Sequence, residues 1–101
     1  MSQKYHLQKQ NFIGGFSLQT NANNVVNSNV AWSIPINGNT SIIRMYSNSF
    51  VYSKYNGSAN SSSYDYFIPE NTSVDIYNIP QANTITFISD TGTSWMRVTQ
   101  Y

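Results

Sequence analysis

The chain has 101 residues, enough for one domain with a single core that buries roughly two-thirds of the surface its unfolded form exposes. It carries no cysteine, which excludes a disulfide framework, thiol catalysis and cysteine-based zinc sites. Charged residues make up only 9%, against roughly 25% in an ordinary soluble domain, and the five basic side chains (Lys4, Lys9, Arg44, Lys54, Arg97) are scattered, so there is no electrostatic footprint for nucleic acid.

In chain order, residues 1–24 come first. MSQKYHLQKQNF lacks the apolar stretch of a secretory signal, and nowhere does a hydrophobic run reach the ~20 residues of a membrane span. NFIGGFSLQTNANN follows, with paired Gly14 and Gly15 and a polar tail. This segment reads as an edge strand with a loop, or as an arm that orders against a neighbouring subunit. From Val25 onward the chain alternates with a period of two. Val30, Trp32 and Ile34 are expected on one strand face, opposite Ala31 and Ser33. IIRMY (42–46), FVYSKY (50–55), YDYFI (64–68), VDIYNI (74–79), ITFI (85–88) and WMRVTQY (95–101) are β-branched and aromatic segments between Gly, Pro, Asn and Ser clusters. In the last, Met96 and Val98 face one way and Trp95, Arg97, Thr99 and Tyr101 the other. The expected fold is therefore all-β. It is a single antiparallel sandwich or jelly-roll-like domain of seven or eight short strands over residues 25–101, with residues 1–24 as an arm.

One phrase recurs: IPINGNTSI from Ile34, IPENTSV from Ile68 and IPQANTI from Ile79. Proline has no N–H for a central ladder and marks a strand end or edge. Asn and Gly tolerate the left-handed backbone of a turn, and β-branched Thr suits a strand start. The phrase thus means leaving one strand and entering the next. NGSANSSS (56–63) reads as a loop, with Asn56-Gly57 offering a tight hairpin turn.

Motifs for chemistry are sparse. ISDTGTSW (88–95) looks like the Asp-Thr-Gly signature of aspartic proteases, which need two carboxylates sharing a proton. Only nine residues follow Gly92, too few for the rest of that machinery, and Asp-Thr-Gly between apolar strands is also a hairpin turn. His6 has no second His or Cys to complete a metal site, and Asp65, Glu70, Asp75 and Asp90 lack calcium-loop spacing. There is no G-x-S-x-G elbow and no phosphate-cradling glycine loop. The sequons at Asn39, Asn56, Asn60 and Asn71 are expected from composition alone. No catalytic residue, cofactor or metal is assigned. Eight tyrosines, five phenylalanines and two tryptophans exceed what so small a core holds, and Tyr-, Asn- and Ser-rich surfaces with few charges are adhesive.

The run FIPENTSVDIYNIPQANTITFISDTGTSWMRVTQY (67–101) resembles small virion structural proteins of tailed bacteriophages. The likeness lies in its Ile-Pro…Asn-Thr strand entry, its Ile-Pro turn, its Ser-Asp-Thr-Gly-Thr strand end and its closing Val-Thr-Gln-Tyr. The Arg44-x-Tyr46 strand and the Tyr55-Asn56-Gly57 turn also fit. The resemblance implies a one-domain β-sandwich made in the host cytoplasm and built into the virion. Such a domain decorates or cements the head, self-associates as a trimer or multimer, and contacts the major capsid protein or other virion proteins. Tyr5, Leu7, Phe12, Ile13 and Phe16 are the expected attachment residues. The alternative is a carbohydrate- or receptor-binding module of a tail fibre, with Tyr52, Tyr66 and Trp95 facing a glycan.

Overall fold

The computed structural model describes residues 12, 13 and 15–101. Phe12–Ile13 (β1) pairs antiparallel with Phe16–Ser17 (β2). Gly15 in the turn adopts φ 90°, which a Cβ would oppose. Eight further strands follow: Thr20–Asn27 (β3), Trp32–Pro35 (β4), Ile43–Ser47 (β5), Val51–Tyr55 (β6), Tyr66–Ile68 (β7), Thr72–Ile76 (β8), Thr84–Ser89 (β9) and Thr93–Gln100 (β10). They form two four-stranded antiparallel sheets, ordered β3-β10-β5-β8 and β4-β9-β6-β7. The chain changes sheet at every connection from β3 onward except the β6–β7 hairpin, the double Greek-key path of a jelly roll. The all-β sandwich expected from the sequence is the observed fold.

Alternation explains the core. Inward positions of β5 (Ile43, Met45), β6 (Val51), β9 (Ile85, Phe87) and β10 (Met96, Val98) are all fully buried, joined by Val26, Ile68 and Ile76. Each such side chain contributes about 1.5–3 kcal/mol relative to exposure. Between them stand small buried hydroxyls. Ser89 and Ser94 share a hydrogen bond at 2.6 Å, and Ser89 also donates to the Thr91 carbonyl. Gln100, buried at the end of β10, makes three side-chain hydrogen bonds. Its amide N–H donates to the Pro35 carbonyl, and its oxygen accepts from the Asn37 N–H and the Thr40 hydroxyl at 2.8 and 2.7 Å. One side chain thereby ties the β4–β5 loop to the last strand.

The repeated phrase performs as expected in the IPENTSV copy and in part in the other two. Pro35 closes edge strand β4, Pro69 follows β7, and Pro80 lies in the β8–β9 loop. Thr72 and Thr84 open β8 and β9, whereas Thr40 stays in the loop. Asn71 takes the left-handed conformation, at φ 54°.

Four details differ from expectation. The boundary expected between residues 24 and 25 falls inside β3, because Asn21 and Asn23 pair with Thr99 and Arg97 and the sandwich begins at Thr20. Val30 lies outside β4 and is exposed. The Asn27 side chain accepts from the N–H groups of Asn29 and Val30, a local turn that displaces strand pairing. Asn56-Gly57 does not make a tight hairpin, since ten residues separate β6 from β7. The Thr86 hydroxyl holds that loop by accepting from the Ala59 N–H and donating to the Gly57 carbonyl. Finally, Asp90-Thr91-Gly92 is a crossing between the two sheets rather than a hairpin turn, as β9 and β10 belong to different sheets.

Candidate functional site

The same alternation that fills the core sends other aromatics outward. On β6, Val51 and Ser53 point in and Tyr52 points out, and the β6–β7 register sets Phe67 directly opposite Tyr52. The two rings lie 5.4 Å apart. Phe50, just before β6, stacks on Phe67 at 5.3 Å and 19° between planes. Tyr64, just before β7, packs on Tyr52 at 4.8 Å. The result is a contiguous line, Phe50–Phe67–Tyr52–Tyr64, across the outer face of one sheet. Phe50, Tyr64 and Phe67 remain 38%, 46% and 42% exposed. The Tyr52 hydroxyl donates to Asp90 Oδ1 at 2.9 Å, which anchors the ring and raises its pKa, because ionisation would forfeit that hydrogen bond. Exposed, mutually packed apolar rings of this kind make the line a candidate interaction surface.

A second surface lies on the outer face of the other sheet. Outward residues of adjacent strands align in rows: Asn23, Arg97, Tyr46 and Ser73 in one, and Asn21, Thr99, Arg44 and Asp75 in the next. A shallow cavity of about 260 Å³ is lined by Arg44, Tyr46, Ser73, Trp95, Arg97 and Thr99. Trp95 meets Tyr46 edge to face at 6.3 Å, and the Arg97 guanidinium sits over the indole at 5.4 Å. Arg44 is bound bidentately by Asp75 at 2.8 and 2.9 Å. That pairing lowers the Asp75 pKa and raises that of Arg44.

Three of the four carboxylates named from the sequence accept hydrogen bonds from separate partners. Asp75 holds Arg44, Asp90 accepts from Tyr52, and Asp65 Oδ2 accepts from the Tyr55 N–H at 2.9 Å. Among the described residues no three His, Cys, Asp or Glu side chains converge as a metal site would require.

Of the expected interaction residues, Tyr5 and Leu7 lie outside the described residues. Phe12 and Ile13 form β1, and Phe16 in β2 is 42% exposed, with Leu18 beside it at 38%. Tyr52 belongs to the aromatic line and Trp95 to the opposite face of the sandwich. Tyr66 points inward. It packs edge to face on Tyr55 at 5.8 Å, partly buried against the core. Tyr52, Tyr66 and Trp95 therefore occupy three different surroundings and form no common sugar site. Phe50 and Phe67 are surface aromatics that sequence reasoning passed over, and Tyr46 and Tyr64 are among the surplus tyrosines it assigned to no site. In Tyr64-Asp65-Tyr66-Phe67-Ile68 either parity gives an aromatic face, and only burial of Ile68 on the inward side assigns Phe67 to the outside. The chain matches no protein-family profile, no curated protein and no solved structure.

Proposed function

We propose that this protein is a non-enzymatic structural component of a phage particle, a head-decorating jelly-roll domain that associates with copies of itself and with the particle surface. The observation that carries the reading is the aromatic line of Phe50, Phe67, Tyr52 and Tyr64. Each ring fully withdrawn from water is worth about 1.5–3 kcal/mol, so three half-exposed rings supply several kcal/mol toward a contact. The fold supports the reading by analogy alone, since viral capsid and lectin domains also use jelly rolls and a fold does not specify a function. Phe16 and Leu18 in and beside the β1–β2 hairpin offer a second apolar contact, consistent with an attachment role for the N-terminal segment. Because few charges are involved, association is expected to change little between low and physiological ionic strength. The test is the copy number in purified particles, measured by quantitative mass spectrometry. Copies in the hundreds agree with head decoration, a handful would move the protein to the tail, and none would end the reading.

A second reading, a carbohydrate- or receptor-binding module, is favoured by one observation, the polar and aromatic groove around Trp95.

A further inference from the structure

The groove around Trp95 holds a cation with no anionic partner. The chain has four acidic side chains, Asp65, Glu70, Asp75 and Asp90, all of them among the described residues, and the one ion pair there joins Asp75 to Arg44. Arg44 is thereby neutralised. Arg97, in the adjacent row, makes one hydrogen bond among the described residues, from Nε to Asn23 Oδ1 at 3.3 Å. Its terminal N–H groups, the fork that fits a carboxylate, have no hydrogen-bond partner among the described residues. The groove therefore carries one net positive charge, suited to a monoanion.

The remaining lining specifies more. Trp95 and Tyr46 form an apolar corner, and Val25, opposite Trp95 on β3 and 60% exposed, extends it. Such a corner accepts the C–H face of a pyranose ring. The Tyr46 hydroxyl donates to Asn71 Oδ1 at 3.1 Å and keeps its lone pairs for a hydroxyl donor. Ser73 and Thr99 add hydroxyls at the base. A volume of about 260 Å³ suits a single ring better than the larger ligands of typical drug-sized sites. We infer that this groove binds an acidic sugar residue, a pyranose bearing one carboxylate such as a hexuronic or sialic acid. In that complex Arg97 takes the carboxylate and the Trp95–Tyr46 corner takes the ring. The inference rests on the carbohydrate reading and narrows its ligand class. It does not require particle binding or self-association.

The test is titration of the whole protein, by calorimetry or ligand-observed NMR, with methyl glucuronoside and methyl sialoside. Methyl glucoside, the methyl ester of each acid, and acetate serve as controls. Saturable binding of an acid at millimolar concentration, at least about tenfold weaker for its ester, is expected from loss of a charge-assisted hydrogen bond. Arg97→Gln should bring the acid down to the level of the ester, while Trp95→Ala removes both. Circular dichroism of each exposed-face variant serves to check that it is folded. Equal binding of acid and ester, or an unaffected Arg97→Gln, overturns the acidic preference and leaves the carbohydrate reading standing. Acetate binding as tight as the acids overturns the sugar. Absence of binding by any saccharide overturns both.

Discussion

Gln100 shows how much one side chain settles at this size. It is buried, and its amide serves one partner at the end of β4 and two on the β4–β5 loop. Replacement by Ala leaves those partners unpaired, so denaturant unfolding of Gln100→Ala should show a loss of about 1–3 kcal/mol. Tyr55 gives the opposite expectation. Its hydroxyl is buried with no hydrogen-bond partner among the described residues, and burial raises its pKa above the ordinary tyrosine value. The stability that goes with this raised pKa is fully present below the unfolded value, near 10, and is lost as pH climbs toward the folded one. Tyr55→Phe should be as stable as the parent or more so at neutral pH, and in melts between pH 9 and 11 it should lose less. A steeper alkaline loss in the variant would contradict the burial argument. Neither residue announces itself in the sequence. Gln100 reads as one more polar residue at a chain end, and Tyr55 and Tyr66 look like Tyr52 until strand parity is known.

At the scale of elements, hydrophobic alternation made β4 to β10 legible to within a few residues, because each carries two or more inward aliphatic or aromatic side chains. β3 was half missed for a physical reason. Thr20-Asn21-Ala22-Asn23-Asn24 has almost no apolar content, and its pairing is held by the backbone ladder to β10 together with Asn–Thr and Asn–Arg hydrogen bonds. As an edge strand it buries little, so its pattern carries little signal. The consequence is testable by truncation. A chain starting at Gln19 keeps all of β3 and should melt within a few degrees of the full-length protein. One starting at Asn24 strips Thr20–Asn23 from Arg97–Gln100, bares the edge of β10, and should melt clearly lower and aggregate. If the two melt alike, the Thr20–Asn23 half of β3 contributes nothing to the fold. A particle-binding comparison of the full chain with the Gln19 start then isolates what residues before the sandwich contribute.

For the whole molecule, the sandwich presents two different outer faces, a charge-poor aromatic line on one sheet and a groove with an unpaired arginine on the other. Composition foretold that some aromatics would lie outside the core. Their distribution was not legible, since it depends on which strands neighbour one another across two sheets, and Tyr52 meets Phe67 and Tyr64 only through the β6–β7 hairpin. The central claim is that the Phe50–Phe67–Tyr52–Tyr64 line exists to be covered. Sedimentation analysis of the purified protein beside Phe67→Ser tests it most directly, as Phe67 stands outside the core and circular dichroism should find the variant folded. The parent should assemble into multimers whose population changes little with salt, and the variant should shift to monomer. A parent that stays monomeric at high concentration, or a variant that assembles equally well, would contradict the account.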